Sequence, residues 1–110
     1  YLRAFELAQQ NLRINPSDAI TLSLMGHYLA RLSRREEALQ NVDLALELAQ
    51  KDIYVYYFSA TALCTLGELD RAQQAVDEAV ALGYPQFMLD ADIGLLPLTE
   101  RLRAQQRRTE

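Results

Sequence analysis

The chain has 110 residues, half of them apolar and 24% charged, with a net charge of −4. That length is enough for one domain whose compact form hides about two thirds of the unfolded surface, and the acidic balance argues against a nucleic-acid surface, which needs basic charge. A single cysteine, Cys64, excludes an internal disulfide and a cysteine-built zinc site and fits the reducing cytoplasm, while no apolar run approaches the roughly 20 residues that span a bilayer.

Taken in order, the chain reads as helices over about 1–14, 18–32, 35–49, 52–66 and 69–82, followed by a less regular tail. Tyr1 opens in mid-helix, so the segment is expected to be a piece of something longer. The first stripe is Ala4, Phe5, Leu7, Ala8, Leu12 and Ile14. Asn15-Pro16-Ser17-Asp18 ends that helix and supplies the next N-cap, with Asp52 in the matching place later. Leu22, Met25, Gly26, Leu29 and Leu32 form a second stripe, and Ala38, Val42, Ala45 and Leu46 a third. Gly67 and Gly83 fall where a helix has to stop. Beyond them Tyr84-Pro85 starts a short helix, Asp90 to Leu98 reads as a bend, and Arg101 to Glu110 is polar enough to fray.

A shift of 34 residues superposes Ala4, Ala38 and Ala72, then Ala8, Val42 and Val76, then Ile14, Leu48 and Leu82. The same shift pairs Leu29 with Leu63, Leu32 with Leu66 and Asp43 with Asp77. These are internal repeats. In their Leu-Gly-Tyr and Ala-aromatic-Ala positions they resemble the tetratricopeptide repeat (TPR) family: Leu22, Met25, Gly26, Leu29, Ala38, Val42 and Ala45 fill the places in one copy, and Tyr56, Ser59, Ala60, Leu63, Ala72, Val76 and Ala79 in the next. Pro16 closes a partial first copy, whereas Gln50 and Tyr84 stand where the later closing prolines would be, Ser59 replaces a leucine and Asn11 a small alanine.

The resemblance implies an all-α fold, an α-α superhelix of stacked helix pairs. It divides the chain into 1–18 as the second helix of a truncated repeat, 19–52 and 53–86 as complete repeats, and 87–110 as a C-terminal capping segment and tail. Phe87, Met88, Leu89, Leu95, Leu96, Leu98 and Leu102 are available to cover the last repeat. It also implies that the first helix of each pair lines a concave groove. Spacing of three and four then places Ile20, Ser23, Leu24, His27 and Arg31 on one inner face and Tyr54, Tyr57, Phe58 and Thr61 on the next. The Lys, Asn and Arg of the family's carboxylate clamp are missing there. The groove therefore suits an apolar or mixed protein or peptide segment, with Tyr57 and Phe58 as anchors, unless neighbouring helices or the C-terminal tail fill it.

Catalysis has no defensible candidate, and no metal or cofactor is expected. His27 suits ligand contact or pH sensing, with a partly exposed helix residue as the plainer reading. Cys64 reads as a small buried hydrophobe. Asp90 and Asp92 lack the twelve-residue calcium loop and read as a turn or cap, and Arg101, Arg103, Arg107 and Arg108 read as a solvated helix end. The expected function is a protein-interaction scaffold within a larger bacterial regulatory or signalling protein. The alternatives are homodimerisation through the exposed first helix, or a regulatory domain of a kinase, cyclase or winged-helix transcription factor.

Overall fold

A computed structural model describes residues 2–49 and 51–109; the expectations placed on Tyr1, Gln50 and Glu110 fall outside the described residues. The described chain is helical: α1 (Leu2–Ile14), α2 (Ala19–Arg31), α3 (Arg35–Glu47), α4 (Ile53–Thr65), α5 (Leu69–Ala81), α6 (Gln86–Asp90), a 3-10 turn (Ile93–Leu95) and α7 (Leu96–Thr109). No strand occurs among the described residues. No described helix is long and apolar enough to cross a membrane.

Local chemistry sets the boundaries. Asp18 caps α2 by accepting the Thr21 backbone N–H, and Asp52 caps α4 by accepting that of Tyr54, each satisfying a donor the helix itself leaves free. The helices stop in a shared way. After α4 the Gly67 N–H donates to the Cys64 carbonyl and the Glu68 N–H to the Leu63 carbonyl; after α2, Ser33 and Arg34 donate to Ala30 and Leu29 in the same pattern. This closure needs a left-handed residue, which Gly67 supplies at φ 79° and Gly83 at φ 109°. Ser33 adopts φ 61° without glycine's freedom.

Connections this short force each helix to fold back on its predecessor. α2 therefore packs on α3 and α4 on α5, and α2 also lies along α4, with α1 against α2. α4 begins 34 residues after α2, and α5 34 after α3. Close approach is built from small residues: a Cβ on Gly26 would lie 2.6 Å from Val42 Cγ2, and Ala38, Ala60 and Ala72 are fully buried. The main core joins Met25, Leu29, Val42, Leu63 and Val76, and a smaller one joins Leu22, Ala45, Ala49 and Val55. Burying a side chain such as Leu63 contributes about 1.5–3 kcal/mol.

The tail corrects two expectations. The described residues from Arg101 to 109 are helical rather than irregular: α7 continues to Thr109, and Arg101 reaches Asp70 on α5 at 2.5 Å. Pro97 sits in the first turn of α7, where its missing N–H breaks no bond. Of the seven apolar tail residues, Leu89, Leu95 and Leu98 are buried, while Phe87, Met88, Leu96 and Leu102 stay exposed. A short helix turns only one face to the core. Arg35, at the start of α3, donates to the Leu66 carbonyl at 2.7 Å and pairs with Glu68, linking α3 to the end of α4.

Candidate binding face on helices α2 and α4

Because α2 and α4 lie side by side in 34-residue register, their matching positions form rows: Ile20 with Tyr54, Ser23 with Tyr57, Leu24 with Phe58, His27 with Thr61. The rows differ in accessibility. At one end Ile20 is 37% and Tyr54 58% exposed, with Leu24 and Phe58 half-buried beside them. Arg31 is exposed at the other end of α2. Ser23, expected on the groove, is fully buried, and its hydroxyl donates to the Ile20 carbonyl at 2.6 Å. It belongs to the helix contact.

Aromatic rings continue across the face. Tyr54 stacks on Phe58 with centroids 6.5 Å apart, Phe58 meets the edge of Tyr57 at 5.2 Å, and Tyr57 stacks on Tyr84 at 5.4 Å with planes 9° apart. Such offset and edge contacts add stabilisation beyond simple burial. Tyr57, expected as an anchor for a partner, has its partners within the chain: its hydroxyl donates to the Asp92 carboxylate. Burial first, and this acceptor second, push the phenol well above its usual range, so it remains a donor throughout neutral pH.

Asp92 has a second task. Its other carboxylate oxygen accepts the Gly94 N–H at 2.8 Å, capping the 3-10 turn. Gly94 lies against Thr61, whose Cγ2 would be 3.5 Å from a Cβ placed there. Thr61 is buried, and its hydroxyl donates to the Phe58 carbonyl at 2.8 Å. The same hydroxyl lies 2.9 Å from His27 Nδ1, with the donor set by the imidazole tautomer. Burial first, then the Arg31 cation, hold the His27 pKa below its usual value, while Asp92 acts the other way. Cys64 is buried, with its thiol pushed up to about 11 by desolvation, although a hydrogen bond from the Leu98 backbone opposes this. At neutral pH it is a thiol and a poor nucleophile.

Tyr84 and Asp92 are the members of this face that sequence reasoning missed. Asp92 carried a local signal, an Asp two residues before Gly, but only as a cap. Among the described residues no three His, Cys, Asp or Glu side chains cluster so as to hold a metal ion. A cleft of about 400 Å³ opens between Asp18 and Asp52 beside Ile20, two others of about 490 and 20 Å³ lie between α5 and α7, and one of about 340 Å³ lies among Leu46, Tyr56 and α5; His27 and Cys64 line none of these four. Set against protein-family models, curated proteins and solved structures, the chain matches none of them.

Proposed function

We propose that this chain is a protein-interaction module of the tetratricopeptide type, acting as a scaffold in the cytoplasm within a larger bacterial regulatory or signalling protein, and that it holds a peptide or protein segment along α2 and α4. The observation that carries the reading is the open aromatic row: Tyr54, 58% exposed, stacks on Phe58 next to the exposed Ile20. Large apolar side chains on adjacent helices, left over once the core is satisfied, are the raw material of interface anchors. The 34-residue recurrence of helix starts supports the repeat assignment. The single buried thiol suits a reducing compartment.

The test is selection of binders from a displayed random 15-residue peptide library against the chain. Selected peptides are expected to be rich in apolar residues and to bind Tyr54→Ala and Phe58→Ala about 5- to 150-fold more weakly, as loss of an anchor worth about 1–3 kcal/mol implies, with unchanged helicity. Binding that ignores both changes would remove this face from the account.

A second reading is self-association through α1, favoured by Leu7 and Ile14, which are 51% and 85% exposed on that helix. A strictly monomeric mass by light scattering at high concentration would dismiss it.

A further inference from the structure

The open aromatic row runs, at its Ile20 and Tyr54 end, to the cleft of about 400 Å³ between the starts of α2 and α4. The cleft is lined by apolar side chains, Ile20 from α2, Leu48 and Ala49 from just past α3, and Val55 from α4, and by two carboxylates in matching places of the two helix pairs, Asp18 and Asp52. Burial would raise the Asp18 pKa, but bonds from the Thr21 hydroxyl and N–H and from the Asn11 amide outweigh it and hold the carboxyl below its usual range. Among the described residues neither carboxylate is ion-paired, although four others are, and the exposed Lys51 does not bridge to Asp52. Away from the cleft the face carries no formal charge for most of its length: α4 has none from Ile53 to Thr65, and α2 none before His27. A helix N-terminus carries about half a positive charge, so the two cap carboxylates leave about one net negative charge beside an apolar strip.

We propose that this face takes a basic-apolar peptide segment, with one lysine or arginine in the cleft between Asp18 and Asp52 and an aromatic or branched apolar residue on Tyr54 and Phe58. Charge complementarity chooses the cation, and the lining chooses a cation on a long alkyl stem. Such a side chain lays its methylenes along apolar surface while its head stays with the carboxylates and water, which is the arrangement Ile20, Leu48 and Val55 offer below the two caps. The spacing follows from the helix. Asp52 and Phe58 are six positions apart along α4, about 9 Å of helix rise, which about three residues of extended chain span. The proposal rests on the interaction reading above and deepens it by naming the charge, the residue type and the spacing of the ligand.

The experiment sequences the peptides selected from the displayed random 15-residue library on the 110-residue chain and remakes the tightest binder with a fluorescent label. Most selected peptides are expected to carry lysine or arginine about two to four residues from an aromatic or branched apolar residue. Replacing that basic residue of the labelled peptide with norleucine keeps the stem and removes the charge. The change is expected to weaken binding to the parent chain about 5-fold or more, as loss of a charge-assisted bond implies, and binding to Asp52→Asn by less than about 2-fold, because the coupled carboxylate is already gone. Asn caps a helix about as well as Asp and retains the acceptor for the Tyr54 N–H, so this variant keeps its fold, and Asp18→Asn serves as the second arm. Selected peptides without a basic residue, or a norleucine effect as large on both Asn variants as on the parent, would overturn the proposal. In that case a loss of binding in Phe58→Ala would still leave the aromatic row standing, whereas a library that yields no binder would remove both readings.

Discussion

His27 and Thr61 stand 34 residues apart, in the same place of consecutive helix pairs, and their side chains meet at 2.9 Å. A repeated position therefore bonds to its own equivalent, joining α2 to α4 through a polar contact set among apolar ones. His27 is the only histidine in the chain, which makes its titration readable.

The contact implies a defined pH dependence. The groups facing His27 are Arg31 on its own helix and Asp92 from the tail, and burial with Arg31 keeps its folded pKa below the ordinary value near 6.5. The unfolded chain therefore takes up the proton first as pH falls. Stability is full above about 6.5 and declines below it until the folded pKa is passed. Melting temperature followed from pH 7.5 to 5 is expected to fall in the parent chain, and His27→Asn to flatten the slope. Equal slopes would refute the assignment.

Gly26 and Val42 set how closely α2 and α3 approach. A Cβ at position 26 would meet Val42 Cγ2 at 2.6 Å, and Val42 is fully buried with a stiff side chain. Gly26→Ala is expected to destabilise by about 1–2 kcal/mol by urea titration despite the better helix propensity of alanine. In a Val42→Ala background the same change is expected to cost less, the remaining close contact being the Ala38 carbonyl oxygen at 3.3 Å. Additivity in this double-mutant cycle would count against direct contact.

Ser33 and Gly67 close their helices with the same pair of backbone bonds, at φ 61° and 79°. Only one has the residue suited to it. Ser33→Gly is expected to raise stability by about 0.5–1 kcal/mol and Gly67→Ala to lower it by about 1 kcal/mol, both read from the denaturation midpoint. Opposite signs at equivalent positions are what the strain argument demands.

Ser59 is fully buried and its hydroxyl has no hydrogen-bond partner. An unmet buried hydroxyl costs about 1–3 kcal/mol. Ser59→Ala is expected to stabilise the chain by about 1 kcal/mol in thermal or urea unfolding, and a loss of stability would mean that the hydroxyl is satisfied in solution.

Much of the helical layout was legible because it rests on neighbours in sequence. Asp18 and Asp52 cap helices from adjacent positions, Gly67 and Gly83 end them, and the spacing of Leu22, Met25 and Leu29 declares which side is buried. The candidate face was legible only in outline. Ile20, Tyr54 and Phe58 lie on it together, but periodicity alone could not separate Ser23, which the α2 contact buries, from its exposed neighbours.

What the amino-acid order determined by itself was where helices start, where they stop and which stripe is apolar, since those choices are made within a turn or two of backbone. Tertiary structure decided which remote segment covers which stripe. Tyr57 finds Asp92 across 35 residues, Gly94 rests on Thr61, and Arg101 of α7 meets Asp70 of α5. An aromatic or carboxylate advertises its chemistry locally, yet its partner depends on the path of the whole chain between them, and no short-range pattern encodes that path.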